Sequence, residues 1–150
     1  MPMSPYVRSL RQQIGHDLLL LPGVTAVICD GDRFLLARQR DTERWSLIGG
    51  SIEPGETPQE AVGREVSEEL GVTPAVGAII GAYGGKRLQT TLPNGDQIAY
   101  ITVAFDCRIP RTAYAIEDAE LIETGWFTRE ETKRIHRHEW IDEILDAAAL

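Results

Sequence analysis

The chain has 150 residues, 43% of them hydrophobic and 25% charged, and its formal net charge is -8. This length and composition predict a single globular domain over residues 1–150 with a substantial buried core. The acidic balance, with lysines and arginines scattered along the chain, argues against a nucleic-acid polymer as the main partner.

The N-terminal part of the chain predicts a helix followed by a hairpin. A Ser-Pro pair begins a pattern of helical spacing, so we expect an N-terminal helix over about residues 4–17. The apolar run Leu18–Leu21 is far shorter than the ~20 residues of a membrane span. No secretory signal pattern is visible, so we expect a cytoplasmic protein with no membrane partner. Two β-rich runs, Gly23–Cys29 and Phe34–Gln39, flank an Asp-Gly pair that predicts a tight turn.

A long central helix is predicted from Pro58 to Leu70. Thr57 is a suitable N-cap, Pro58 occupies the first helical position, and Glu60 completes a capping box. Gly71 is placed to end the helix. The loop before this helix carries two adjacent glycines, Gly49 and Gly50.

The remaining elements define the fold class. Strands are predicted at Val76–Tyr83, Ile98–Cys107 and Glu120–Phe127, and helical patterns begin at Arg129 and cover Glu139–Ala149. Hairpin and crossover strands with helices before, between and after them predict an α/β protein with a mixed sheet covered on both faces.

Both cysteines are predicted to be structural. Cys29 and Cys107 lie inside apolar β-like runs and lack the spacing of a zinc or redox motif. We therefore expect two buried thiols.

Three glutamates of the central helix are candidate metal ligands. Glu65, Glu68 and Glu69 fall at i, i+3 and i+4, so their carboxylates project from one face. Their mutual repulsion would be relieved by a cation, and carboxylates without nearby His or Cys favour Mg²⁺ or Mn²⁺ over zinc. Taken alone, however, the three residues are more typical of a solvated acidic helix face.

The neighbouring residues favour the metal site, because residues 50–72 resemble the Nudix box. Gly50, Glu56 and the segment Arg64–Val72 have the residue types and spacing of that motif, and no position of it departs. The likeness extends more weakly to the preceding hairpin and a late strand. Ile48 departs from the proline of many relatives, which affects loop stiffness more than chemistry. The chain is thus identified by resemblance as a member of the Nudix hydrolase family.

The resemblance implies the Nudix fold, an α/β/α sandwich with a mixed β-sheet, and a pyrophosphohydrolase acting on acid anhydrides. It implies that Glu65, Glu68 and Glu69 are catalytic metal ligands, with Mg²⁺ as cofactor and Mn²⁺ as a substitute. Metal is expected to be needed because a diphosphate repels hydroxide until its charge is neutralised. Glu68 is the first choice as general base, and the alternatives are Glu117, Glu120 and Glu123.

Three further residues are expected to support the glutamates. Glu56 either binds the metal through water or pairs with Arg64, which we place in the catalytic set as the residue that holds the glutamates from behind. Gly49 and Gly50 permit backbone conformations closed to other residues, with a simple turn as the alternative. The resemblance favours the Gly49 carbonyl as a metal ligand.

Substrate contacts are predicted from less specific signals. Arg38 and Arg40 lie two apart at a strand end and can share a face toward phosphates, although solvated surface arginines show the same pattern. Trp45, Tyr83 and Tyr100 are candidates for stacking on a base, with core packing as the alternative. Glu120 is a further candidate substrate contact.

The predicted function is Mg²⁺- or Mn²⁺-dependent hydrolysis of a pyrophosphate bond in a nucleoside diphosphate linked to another moiety. The substrate would be a nucleoside triphosphate or a nucleotide-sugar-like molecule such as ADP-ribose, and the expected partner is this small molecule. The alternative is a catalytically weak nucleotide-binding sensor on the same fold, against which the complete glutamate set argues. The sequence leaves a homodimer open, with the N-terminal helix and Leu18–Leu21 as a candidate interface.

Overall fold

A computed structural model describes residues 3–110, 114–117 and 119–149. Within these ranges, eight strands form one mixed sheet. No helix among them is both long and apolar enough to cross a membrane. The strands are β1 (Leu19–Asp30), β2 (Arg33–Gln39), β3 (Trp45–Ser46), β4 (Ile48–Ser51), β5 (Ala75–Tyr83), β6 (Gln89–Thr91), β7 (Gln97–Arg108) and β8 (Leu121–Thr128).

The helices lie close to their predicted positions, with one clear difference at the N-terminus. The predicted range of about 4–17 is too long, because the helix ends at Ile14. Gly15 adopts a φ of 61° and its N–H bonds to the carbonyl of Arg11, which stops the helix. The helices are α1 (Pro5–Ile14), α2 (Pro58–Leu70), α3 (Arg129–Thr132) and α4 (Ile141–Ala148), with a 3-10 turn at Lys86–Leu88.

The sheet is organised around β1. This strand runs parallel to β7 and antiparallel to β4 and β2, and the continuous path through the sheet is β3-β2-β1-β7-β5. Strand β4 pairs with the Gly23–Ala26 part of β1, whereas β2 pairs with its Cys29–Asp30 end. The mixed sheet of the predicted α/β class is therefore confirmed.

The core has two halves, one on each face of the sheet. Because successive strand residues point to opposite faces, Ala26 packs with α2 and Val27 packs with α4. On the first face, Val62 and Val66 of α2 are fully buried. On the second face, Ile144 is fully buried. These two helices cover the sheet from both sides, as the predicted three-layer sandwich requires.

The hairpin turn and the cysteines refine two predictions. Asp30 pairs with Arg33, so the two-residue turn is Gly31-Asp32, and Gly31 has the positive φ of 63° that such a tight turn needs. Cys107 is buried as expected, but Cys29 is only partly buried because it lies near the end of β1. The two thiols lie in the two different halves of the core, on opposite faces of the sheet.

Candidate active site

Helix α2 presents the box glutamates, and its ends are fixed by local hydrogen bonds. The Thr57 hydroxyl accepts from the Glu60 N–H, and the Glu60 carboxylate accepts from the Thr57 N–H, which is the predicted capping box. Gly71 ends the helix in the left-handed conformation at φ 69°, where other residues would be strained. The first and last residues of the helix are therefore those that the sequence predicts.

The three glutamates of α2 differ sharply in exposure. Glu65 is 1% exposed and Glu69 8% exposed, whereas the Glu68 side chain is 55% exposed. The two buried carboxylates are adjacent to the apolar stripe that packs α2 on the sheet. A buried charge is costly unless it is paired or binds a cation. The alternative of a solvated acidic helix face therefore does not fit Glu65 and Glu69.

Arg64 connects the start of the box to its glutamates. Its guanidinium donates to both Glu56 oxygens, at 2.7 and 2.9 Å, and to Oε1 of Glu65 at 2.9 Å. It also donates to the Ser51 carbonyl at 2.9 Å and approaches Glu68 at 3.4 Å. The hydrogen bonds from Arg64 are the largest cause of the lowered pKa of Glu56, and the hydrogen bond from the Glu53 N–H lowers it further. Of the two roles considered for Glu56, the structure shows the pairing with Arg64.

The two buried glutamates have strongly perturbed pKa values. Burial raises the pKa of Glu65 to about 7, with Arg64 opposing the shift. Burial, and then the charges of Glu65 and Glu120, raise the pKa of Glu69 to about 9. One oxygen of Glu65, Oε2, is buried without a hydrogen-bond partner. An orphaned carboxylate oxygen beside a second unpaired carboxylate suits a hard divalent cation.

Two of the three glutamates, Glu65 and Glu68, approach the Arg64 guanidinium, at 2.9 and 3.4 Å. Among residues 3–110, 114–117 and 119–149, no three acidic, histidine or cysteine side chains form a metal-coordinating group. Like-charged carboxylates separate when no cation lies between them, and Glu65 and Glu68 both pair with Arg64. Glu68 is exposed, so rotation of its side chain meets little resistance.

Gly49 is required for space rather than for an unusual backbone conformation. A Cβ added at Gly49 would lie 2.3 Å from the Val24 carbonyl oxygen, because β4 pairs closely with β1 at this point. Neither Gly49 nor Gly50 has a positive φ. The expectation that these glycines adopt conformations closed to other residues is therefore wrong. The Gly49 carbonyl as a metal ligand stays a prediction.

Glu120 is brought next to the box by a loop that packs on the end of α2. The N–H of Glu117 bonds to the Glu69 carbonyl at 2.9 Å, and the N–H of Ala115 bonds to the Leu70 carbonyl at 3.0 Å. The charge of Glu120 contributes to the raised pKa of both Glu65 and Glu69. Glu120 is thus the later glutamate that electrostatics couples to the box.

Glu123 lies further along the chain and faces another residue. It pairs across the sheet with Arg38, whose guanidinium approaches its carboxylate at 3.7 Å. The Nε of Arg38 also donates to the Glu43 carbonyl. Arg38 as a phosphate contact stays a prediction, and a phosphate would have to compete with these partners.

The remaining predicted substrate residues have well-defined neighbours. Arg40 donates to the Leu121 carbonyl at 3.2 Å. Trp45 makes an edge contact with Phe127, with ring centroids 4.9 Å apart, and packs against the α4 half of the core. Tyr83 packs against the same half. These contacts match the core packing named above as the alternative for the two aromatic residues, whose stacking on a base is not tested.

Ser51 adjoins the site and was not anticipated from the sequence, and Tyr100, which the sequence suggested only as a stacking residue, lies beside it. Their hydroxyls are 3.2 Å apart, and the Ser51 carbonyl accepts from Arg64. Burial raises the pKa of Tyr100, and the charge of Glu65 contributes to the shift. Ser51 could have been suspected from its place beside Gly50. The position of Tyr100 beside Ser51 could not have been predicted, since only the pairing of β1 with β7 brings it there.

The fold and the box together define a family. The model of the NUDIX domain matches residues 19–148 of the chain. That range covers every strand and α2, α3 and α4. The chain belongs to the Nudix hydrolase family.

Individual relatives agree with this assignment. The chain is 33% identical over 99 residues to the nucleoside triphosphatase NudI of an Enterobacter species, covering 64% of this chain and 70% of that protein. It is 30% identical over 115 residues to the NAD-capped RNA hydrolase NudC of Mycobacterium tuberculosis, covering 75% of this chain. The match spans only 34% of the length of the mycobacterial protein.

A solved structure confirms the fold. The MutT protein from Methanosarcina mazei Go1 superposes with a TM-score of 0.69 at 24% identity, covering 85% of this chain and 91% of that one. This likeness confirms the Nudix fold that the sequence implied.

Proposed function

We propose that this protein is a divalent-metal-dependent hydrolase that cleaves a pyrophosphate bond in a nucleoside diphosphate linked to another moiety. The observation that carries the proposal is the pair of buried carboxylates, Glu65 and Glu69, of which Glu65 has an orphaned oxygen and Glu69 forms no ion pair with a residue that the structure describes. Groups with strongly perturbed pKa values beside other potential metal ligands are typical of catalytic sites.

The proposed ligands are Glu65, Glu68 and Glu69, with Mg²⁺ as the ion, or Mn²⁺ in its place. When bound, the ion would neutralise phosphate charge and lower the pKa of a coordinated water. Arg64 holds Oε1 of Glu65 and so leaves Oε2 to face the site. By the same geometry, Arg64 is a positioning residue and makes no contact with the reacting atoms.

Proton transfer from water needs a carboxylate that water can reach. Glu68 meets this condition because its side chain is 55% exposed and lies one helical turn from Glu65. Glu120 is the alternative base, since its charge acts on both buried glutamates. Glu117 is a weaker alternative because its carboxylate accepts from the Ala119 N–H within its own turn.

The relatives narrow the chemistry but leave the substrate open. NudI is named for nucleoside triphosphates and NudC for NAD-capped RNA. Both kinds of molecule contain a phosphoanhydride next to a nucleoside, which is the bond named in the proposal. The panel of substrates should therefore include triphosphates, ADP-ribose, NAD and an NAD-capped oligonucleotide.

The test is product analysis by phosphorus NMR after incubation with Mg²⁺ and each substrate. We expect cleavage of at least one substrate and a loss of about 10²-fold or more in the Glu69→Gln variant, because several kcal/mol of charge stabilisation disappear. Glu60→Gln is the matched control on the same helix, since Gln also completes a capping box. Mg²⁺ binding without cleavage of any substrate would instead support the sensor function.

A further inference from the structure

We propose that Arg40 is a positioning residue that fixes the loop carrying Glu120 against the box glutamates. The inference rests on the proposed function, because it assigns Arg40 a role in building the metal site. Arg40 directly follows β2 and bonds to the residue that directly precedes β8.

The path to Glu120 begins with an irregularity in the sheet. Strand β8 pairs with β2 through Glu123 opposite Arg38 and Leu121 opposite Gln39, which leaves Ile122 as an extra residue. An extra residue in one strand bends it locally. The chain before Leu121 therefore leaves the regular ladder at this point.

Arg40 holds this bent segment with both its backbone and its side chain. Its N–H donates to the Glu120 carbonyl at 2.9 Å, and its guanidinium Nη2 donates to the Leu121 carbonyl at 3.2 Å. Arg40 therefore bonds to the carbonyls of two consecutive residues, Glu120 and Leu121. A charged donor makes a stronger hydrogen bond than a neutral one, which suits a restraint at a bend.

The other end of the loop is fastened to α2. The Glu117 N–H bonds to the Glu69 carbonyl, and the N–H groups of Glu120 and Leu121 both bond to the Glu117 carbonyl, at 3.1 and 3.0 Å. The loop is therefore held between the C-terminal end of α2 and Arg40. With both ends held, Glu120 is kept near Glu65 and Glu69, consistent with its influence on their pKa values.

This role differs from a phosphate contact in what it predicts. Arg40 is exposed, yet its hydrogen bonds run toward the loop. A residue that contacts phosphate changes KM and leaves metal affinity without substrate unchanged. A residue that places Glu120 changes metal affinity without any substrate present, because the charge of Glu120 acts on the ligands Glu65 and Glu69.

The experiment measures Mn²⁺ affinity by electron paramagnetic resonance in the full-length protein without substrate. We expect Arg40→Ala to weaken Mn²⁺ binding about 10-fold, which is within the range for loss of a group that orients metal ligands. Arg40→Lys should recover part of the affinity, since an ammonium can still donate to the Leu121 carbonyl. Arg44→Ala removes the same charge from the segment between β2 and β3, which also contains Arg40, and should leave the Mn²⁺ affinity unchanged.

A double-mutant cycle with Glu120→Gln shows whether Arg40 acts through Glu120. We expect Arg40→Ala to have no further effect on Mn²⁺ affinity once Glu120 is neutralised. Equal losses in both backgrounds would overturn the inference, as would a raised KM with unchanged Mn²⁺ affinity. If the parent protein binds no Mn²⁺, the proposed function itself fails. Circular dichroism of each variant distinguishes these results from unfolding.

Discussion

Glu56 and Glu69 stand near opposite ends of the same motif and have opposite electrostatic environments. Glu56 receives two hydrogen bonds from Arg64, which lower its pKa. Glu69 is 8% exposed, and burial raises its pKa to about 9. Within the part of the chain that the structure describes, Arg64 bonds to Glu56 and to one oxygen of Glu65, so the other oxygen of Glu65 and the Glu69 carboxylate are left for a cation from outside.

These opposite environments indicate that the carboxylates of one motif have different roles, with Glu56 supporting the structure and Glu69 able to bind a cation. A carboxylate that is always paired contributes to stability and to the orientation of its neighbours. A carboxylate that is buried and unpaired destabilises the protein until a ligand arrives. Variants at these two kinds of position should therefore change the stability of the metal-free protein in opposite directions.

The largest expected effect is the removal of the paired arginine. Arg64→Ala should lower the free energy of unfolding by about 2–4 kcal/mol, because Glu56 and Glu65 lose their shared partner while they stay shielded. Arg64→Lys should lose less, since a lysine keeps the charge but cannot make the forked contacts. Urea denaturation without divalent ions measures both. A loss below about 0.5 kcal/mol in Arg64→Ala, the level of an ordinary surface change, would contradict the supporting role.

A smaller change of opposite sign is expected at the unpaired position. Glu69→Gln should raise the free energy of unfolding of the metal-free protein at pH 7 by about 1–3 kcal/mol, since a neutral amide removes the cost of keeping a buried carboxyl protonated at a pH where the unfolded chain ionises it. Glu68→Gln is the matched exposed control and should change stability by less than about 0.5 kcal/mol. Adding Mg²⁺ should then stabilise the parent protein more than Glu69→Gln. Destabilisation of the metal-free Glu69→Gln variant would argue against an unpaired buried charge.

A further expected effect is a pH dependence of stability in the metal-free protein. The folded pKa values of Glu65 and Glu69, about 7 and about 9, lie above the ordinary value of 4.5. The folded state then binds more protons than the unfolded state, so this contribution is complete below pH 4.5 and is lost as pH rises through the folded values. We expect both residues to contribute to the decline up to about pH 7 and Glu69 alone above it.

Chemical denaturation at a series of pH values tests this prediction. Glu69→Gln should abolish the decline between pH 7 and 9 and keep the part below pH 7, because only the Glu65 carboxylate remains. A parent protein whose stability rises over pH 5–9 would show that the two carboxylates are ionised and paired in the folded state.

Local features of the site could be predicted from sequence because their causes are local. The limits of α2 follow from the Thr57 cap and from Gly71, whose effects reach only one turn of helix. The spacing of Glu65, Glu68 and Glu69 on one face follows from helical geometry alone. The N-terminal helix was predicted too long because apolar spacing continues past Gly15, where the backbone changes conformation.

Other features depended on which strands pair. Gly49 is needed for space because β4 pairs closely with β1, and the sequence does not show this pairing. The placement of Glu120 follows from the irregular pairing of β8 with β2 and from the hydrogen bonds of Arg40. For the same reason, sequence could name Glu117, Glu120 and Glu123 as alternatives without choosing among them.

The sequence by itself determined the family, the α/β class, the helix that carries the glutamates and the hard-cation chemistry of its carboxylates. Only the tertiary structure decided that Glu65 and Glu69 are buried, that Arg64 pairs with Glu56, and that the charge of Glu120 acts on the box glutamates. Capping, periodicity and ligand type depend on neighbours within a few residues, and these are written in order along the chain. Burial and charge coupling depend on groups that are distant in sequence and meet only when the sheet forms.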